Sequence, residues 1–259
     1  MIRKYFCIYL LLFSCSTNVF YKNNSFEEYY DLNIGDLPVF LVASHDGKMN
    51  LDPLVTVRSD TLTPNFNIKN DVNTYEIPDF ISQEIYNKTN YKPYQLVNNI
   101  HRKYIDLNRH SDQAYEDQYM TAYYNNYHKI MNEQIQSIIK KFGKCLLIDI
   151  HGFFSDSIDI VISTRNNNTL SILDKKRILT NNNSFLNNYI TQGYNVNLND
   201  PFYGGFTIKN TKEKSIYSSF SAIQLEIGSN IRYKNEKLMH FIENTSYNII
   251  SYLNESGFL

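Results

Sequence analysis

Three short, nearly unbroken apolar runs constrain this chain most: "LPVFLVAS" at 37–44, "CLLIDI" at 145–150 and "SAIQLEI" at 221–227. Each is too short for an independent helix and lacks the polar alternation of a half-exposed strand. Such runs suit strands buried on both faces, as in a parallel sheet covered by helices. Helical patterns lie between them. In "TYEIPDFISQEIYNKTN" residues 77, 81 and 85 are apolar, with Pro78 interrupting the spacing early. The segment 114–143 is the clearest helix: Tyr127, Met131, Ile135 and Ile138 share a face, lysines fill the last turn and Gly143 stops it. His128 on this helix reads as structural. "PYQLVNN" and "SIDIVIS" add strands, residues 167–194 are irregular to helical, and "NEKLMHFIENTSYNIISYL" is a closing helix. Alternating strands and helices predict a single α/β domain over 36–259, with a mostly parallel central sheet and helices on both faces.

The N-terminus obeys different rules. Residues 1–20 start with Arg3 and Lys4, continue with an apolar stretch from Tyr5 to Phe13 and then turn small and polar. This is the layout of a signal peptide or lipoprotein leader, and "LFSC" ending at Cys15 resembles a relaxed lipobox. The expectation is an exported protein, periplasmic, at the cell surface or anchored to a membrane through the leader or a lipid on Cys15. Residues 21–35 read as a linker. Cys7 and Cys15 fall in the leader. Cys145 alone remains in the body, which excludes an internal disulfide there and a cysteine-rich zinc site. Lys and Arg total 25 against 26 Asp and Glu, so no field favours nucleic acid.

In open α/β sheets ligands bind beyond the carboxyl ends of the strands. Four such places carry chemistry. They are His45 after the first run; Arg102, Asp106, Asn108 and Arg109 in "RKYIDLNR"; Asp149 and His151 in "LLIDIHG"; and Gln224, Glu226 and Arg232 in and after "AIQLEI". Two strand-end histidines suit a zinc ion, whose catalytic sites use three protein ligands. Glu226 sits between apolar neighbours, where a carboxylate is costly unless it is paired or functional. Strand alternation sends Gln224 and Glu226 to one face, and Asp149 with His151 to one face. There is no phosphate loop, no G-x-G-x-x-G, no H-E-x-x-H and no G-x-S-x-G.

These segments resemble the N-formylglutamate amidohydrolases, distant kin of the zinc carboxypeptidases. The resemblance runs in order through "SHDG" (44–47), "DVNTYEI" (71–77), "YKPYQLVNNIHRKYIDLNR" (91–109), "YHKI" (127–130), "LLIDIHG" (146–152), "YGGF" (203–206) and "AIQLEI" (222–227). Residues 160–200 match poorly. The resemblance implies the hydrolase-like fold of the zinc carboxypeptidases, and zinc held by His45, His151 and an acid. Lys48 occupies the place of the carboxypeptidase glutamate, so Asp71 is taken as the third ligand, with Asp60 and Asp46 as alternatives and an Asx-turn or helix cap as its other reading. Glu226 becomes the general base. Asn108 and Arg109 hold a substrate carboxylate, and Arg102 polarises the scissile carbonyl, a role worth about 3 kcal/mol for one good donor. Pairing with Asp106 or Asp149 is the structural alternative for both arginines. Asp149 supports His151, or forms a structural ion pair. Gly204 and Gly205 permit close approach of substrate, and Arg232 touches substrate or caps the strand end. The implied reaction is cleavage of the amide in a small N-acyl amino acid or peptide-like substrate with a free carboxylate. The alternative is an exported binding protein that keeps the scaffold without the chemistry, in which His45, His151 and Glu226 need not converge.

Overall fold

A computed structural model describes residues 26–59 and 66–259. The leader expected over 1–20, with Cys7 and Cys15, the start of the expected linker, and Asp60 all lie outside these residues. In chain order the elements are β1 (Tyr30–Asn33), β2 (Val39–Ala43), α1 (Ile77–Thr89), β3 (Tyr94–Asn98), α2 (Ser111–Ala114), α3 (Tyr119–Phe142), β4 (Cys145–Phe153), β5 (Ile160–Ser163), α4 (Ile172–Lys175), α5 (Phe185–Thr191), β6 (Val196–Leu198), α6 (Phe206–Lys214), β7 (Phe220–Gly228), α7 (Ser229–Arg232) and α8 (Asn235–Glu255). A 3-10 turn, Phe26–Tyr29, precedes β1, and a π-helical turn, Lys176–Thr180, follows α4. Among the described residues no helix is long and apolar enough to cross a membrane.

The strands form one seven-stranded sheet in the order β1-β3-β2-β4-β7-β5-β6. The central four, β3, β2, β4 and β7, are mutually parallel, as their apolar runs predict. β1 lies antiparallel on β3, and β5 antiparallel on β7. The single, mostly parallel α/β domain is as expected. The linker is not wholly a linker: Tyr30–Asn33 of it forms the edge strand β1. Its sequence, "YDLN", has no apolar run because an edge strand is only half covered.

Helix boundaries follow local chemistry. Pro78 does not interrupt α1; it lies in the first turn, where its missing N–H costs no hydrogen bond. Gly143 ends α3 at φ 79°, and its N–H donates to Ile139 O at 2.7 Å.

The two sheet faces differ, and this difference places the site. Val39, Leu41, Ala43, Leu146, Ile148, Ile150, Ile223, Leu225 and Ile227 form one apolar face, packed with Ile77, Ile81 and Ile85 of α1 and Phe241, Ile242 and Ile249 of α8. The opposite face begins apolar, with Phe40, Val42, Cys145, Leu147, Phe220 and Ala222 against Tyr127, Met131, Ile135 and Ile138 of α3. Farther along the same strands it turns polar. The next residues on it are Asp149 and His151 of β4, in register with Gln224 and Glu226 of β7.

Candidate metal centre

The polar end of that face is where His45, Asp71 and His151 meet, all three buried. His45 Nδ1 lies 3.0 Å from His151 Nδ1, and each lies 3.3 Å from Asp71 Oδ2. Ligands about 2.0–2.1 Å from a tetrahedral zinc ion are about 3.3 Å apart, so the triangle has the edge of a zinc coordination shell.

The far side of each imidazole supports the same reading. His45 Nε2 lies 2.6 Å from Asp106 Oδ1, and His151 Nε2 lies 2.9 Å from Asp149 Oδ2. At His45 the hydrogen bond to Asp106 holds the proton on Nε2 and leaves the Nδ1 lone pair for the centre, the carboxylate–histidine–metal pattern, and at His151 Asp149 is an ion-pair neighbour. Two lone pairs 3.0 Å apart repel unless a cation lies between them. The charges agree. Asp71, Asp106, Asp149 and Glu226 face Arg58, Arg102 and Arg109, which leaves the carboxylates in excess. Burial disfavours a charged His151, yet the neighbouring carboxylates of Asp149 and Asp71 outweigh it and raise its pKa well above the ordinary value. The cluster thus favours positive charge at its centre. Burial works against ionised Asp71 too, but its contacts with the imidazoles of His151 and His45 and the charge of Arg102 hold its pKa below the usual carboxylate range. The residues fit a divalent cation.

Asp71 is positioned by several groups. Its Oδ1 accepts from Arg102 Nη1 at 2.9 Å, and Gly152 N–H donates to Oδ2 at 3.1 Å. Its N–H donates to His45 O at 3.1 Å. Asp46 does not reach the centre; its Oδ2 accepts from the N–H groups of Thr74 and Tyr75 and so shapes the turn after Asp71. Lys48, at the carboxypeptidase glutamate position, pairs with Glu76.

Two arginines have different surroundings from those expected. Arg102 Nε and Nη2 donate to Asp106 Oδ2 at 3.2 and 3.0 Å, and Nη1 is taken by Asp71. Its donors engage the carboxylates of Asp71 and Asp106. Arg232 is buried and donates to the carbonyls of Ile227, Phe153 and Val72. It ties β7, β4 and the loop after Asp71 together.

Glu226 is buried, and Gln224 Nε2 donates to its Oε1 at 2.6 Å. Burial raises its pKa, against the opposing charge of His151. Gln224 in turn accepts from Gly205 N–H at 2.7 Å. Asn108 Nδ2 lies 3.3 Å from His151 Nε2 and 3.4 Å from Gln224 Oε1, and its Oδ1 accepts from Thr207 N–H at 2.8 Å. A Cβ on Gly205 would fall 2.2 Å from the Asn108 side chain, so this glycine is what lets the loop close on Asn108. The Arg109 side chain is 28 % exposed, with Nε 3.9 Å from Asp106. Gly204 is in the left-handed region at φ 110°. Of the residues expected from sequence, His45, Asp71 and His151 converge, Arg102, Asn108 and Asp149 lie against them, and Glu226 is beside His151 across β4 and β7, while Asp46 and Arg232 hold surrounding backbone. The pairing of Asp106 with His45 has one signal in the sequence, the i, i+4 spacing of Asp106 from Arg102, and that signal points to the arginine alone.

The fold and the cluster define an α/β protein with a two-histidine, one-carboxylate candidate metal site at the carboxyl ends of parallel strands. The family model for N-formylglutamate amidohydrolase matches residues 111–231, and over that stretch the chain is similar to this family. The match takes in His151, Gly204, Gly205 and Glu226, and it runs through 160–200, where the motif resemblance is weakest. His45, Asp71, Arg102, Asn108 and Arg109 lie outside it. Among solved structures, the N-formylglutamate amidohydrolase from Ralstonia eutropha JMP134 superposes with TM-score 0.63 at 15% identity, over 88% of this chain and 99% of that one. A gene product from Agrobacterium tumefaciens gives TM-score 0.63 at 16% identity, over 88% and 94%. No curated protein matches the chain.

Proposed function

We propose that this protein is a zinc-dependent amidohydrolase acting on a small N-acyl amino acid or peptide-like substrate with a free carboxylate. One observation carries the reading: three buried ligand atoms 3.0–3.3 Å apart, with each imidazole backed by a carboxylate. That convergence speaks against a scaffold kept only for binding.

A zinc ion held by His45, Asp71 and His151 supplies a Lewis acid that polarises a carbonyl and acidifies water. Glu226, beside His151 across β4 and β7, accepts the proton of the attacking water and returns it to the leaving amine. Its burial-raised pKa suits both halves of that transfer. Gln224 fixes one Glu226 oxygen, leaving the other for the proton. Arg109, partly exposed, offers a planar fork to the substrate carboxylate, with Asn108 beside it. Arg102 and Asp106 hold the ligands in place. The leader suits an exported enzyme; loss of fatty-acid labelling in Cys15→Ser is the expected sign of an anchor at that residue.

Purified protein should bind about one zinc per chain, the stoichiometry of a three-ligand site. A panel of formyl-, acetyl- and peptidyl-amino acids should reveal cleavage that Glu226→Gln abolishes while zinc is retained. No zinc uptake, or wild-type hydrolysis by Glu226→Gln, overturns the proposal.

A further inference from the structure

Three successive residues after β5 have left-handed backbones: Arg165 at φ 49°, Asn166 at φ 53° and Asn167 at φ 72°. Asparagine tolerates this region; arginine is disfavoured there because its Cβ crowds the following carbonyl. Such a conformation persists only where its surroundings over-determine it, and it is enriched at functional sites. Here Asn199 Oδ1 accepts from Thr164 N–H at 2.7 Å, and Thr164 Oγ1 accepts from Asn167 N–H at 3.0 Å.

The turn presents Arg165 to the glycine loop in a two-point clamp. Its backbone N–H donates to Tyr203 O at 3.0 Å, and its Nη1 donates to Gly204 O at 2.8 Å. The guanidinium lies 4.9 Å from the centre of the Tyr203 ring, within cation–π range. Gly204 allows the approach, since a Cβ there would sit 3.0 Å from Arg165 Cγ and 2.7 Å from Ile208 Cδ1. From the clamp the contacts are continuous: Gly205 N–H to Gln224 Oε1 at 2.7 Å, then Gln224 Nε2 to Glu226 Oε1 at 2.6 Å.

We propose that Arg165 is a positioning residue of the site: it latches the Tyr203–Gly205 loop, and through Gly205 and Gln224 it fixes the orientation of Glu226. Arg165 touches neither the ligand set nor Glu226. It acts by holding the loop whose Gly205 N–H, together with Asn108, orients Gln224. Its catalytic consequence rests on Glu226 being the base. The latch itself does not.

The test is a double-mutant cycle of Arg165→Ala and Gln224→Ala in the zinc-loaded full chain, with two readouts. Hydrogen exchange over 203–207 is expected to quicken about tenfold in Arg165→Ala. On a cleaved substrate, kcat is expected to fall about tenfold at nearly unchanged KM, with zinc content unaltered. The double variant should be no worse than Gln224→Ala alone. Arg165→Lys keeps the charge without the planar fork and should recover only part of the protection. Unchanged exchange over 203–207, or fully additive losses in the double variant, overturns the proposal. If no substrate in the panel is cleaved, the exchange readout still decides the latch, and the failure falls on the amidohydrolase reading instead. If Arg165→Ala does not fold, Arg165→Lys and Tyr203→Ala take its place with the same readouts, and unchanged exchange in both overturns the latch.

Discussion

Asp106→Asn is the most informative single substitution, because the residue serves two kinds of partner at once. Oδ1 takes His45 Nε2 at 2.6 Å, and Oδ2 takes Arg102 at 3.0 and 3.2 Å, with Arg58 at 3.7 Å. Burial pushes its pKa up, but Arg102 and His45 outweigh burial and hold it well below the usual carboxylate range. Every group around it is therefore a donor facing an anion. Asparagine keeps the shape but has one acceptor. If its oxygen meets His45, its amide hydrogens face a guanidinium; if the amide turns over, they face the imidazole N–H. Neither orientation satisfies both partners. Breaking a buried charge network of this kind costs about 3–5 kcal/mol of stability. Loss of the carboxylate behind a ligating histidine costs about 10–100-fold in metal affinity, which is about 1.4–2.7 kcal/mol. Urea unfolding of the metal-free protein measures the first quantity, and competition with a zinc-binding dye measures the second. A folded Asp106→Asn variant with zinc affinity within about threefold of wild type would falsify the assignment of Asp106 as the orienting partner of His45.

Three further outcomes follow from single contacts. Gly205→Ala puts a Cβ 2.2 Å from Asn108 and should cost about 1–3 kcal/mol in urea unfolding while displacing Asn108, seen as a raised KM for carboxylate-bearing substrates. Buried His128, whose pKa burial lowers to about 4, binds its proton only in the unfolded chain between there and about 6.5; stability it confers is complete above that window and is lost as pH falls through it, by about 3 kcal/mol. His128→Phe should flatten that part of the urea midpoint against pH, and an unchanged slope refutes the assignment. Saturating zinc at about a thousand times its Kd should add about 4 kcal/mol to the unfolding free energy, and a chelator should remove it.

Much of this is legible in the sequence because the relevant signals are local. Apolar runs mark the central strands, and alternation along β4 and β7 puts Asp149, His151, Gln224 and Glu226 on one face. The choice of His45, His151 and Asp71 comes from a resemblance, and the geometry brings those three together. Side-chain partners are less legible, because they join segments far apart in the chain. Asp106 meets His45 across 61 positions, and Arg232 meets Val72 across 160. An arginine near a site reads the same from sequence whether it grips substrate or knits backbone. β1 escapes notice because an edge strand needs no apolar run, and the latch on Gly204 because three left-handed residues leave no residue-type signature beyond two asparagines.

The asymmetry of the sheet explains how a fold can carry so many buried charges. The face under α1 and α8 is apolar along its length and supplies hydrophobic stabilisation without interruption. The face under α3 is apolar only at its amino half, and at its carboxyl half it must accommodate Asp149, His151, Gln224 and Glu226. Left unpaired, each such group costs several kcal/mol. Arg58, Arg102 and Arg109 all bear on Asp106, and Arg102 also on Asp71, while Asp149 and Glu226 lie beside His151 instead. A divalent cation adds positive charge where the two imidazoles meet. An anionic substrate would then be drawn to the site more strongly than in the metal-free protein. Metal loading should on this ground tighten carboxylate binding as well as enable hydrolysis. An inert substrate analogue with a free carboxylate should bind the zinc-loaded Glu226→Gln variant more tightly than its metal-free form, and the difference should shrink as salt screens the field.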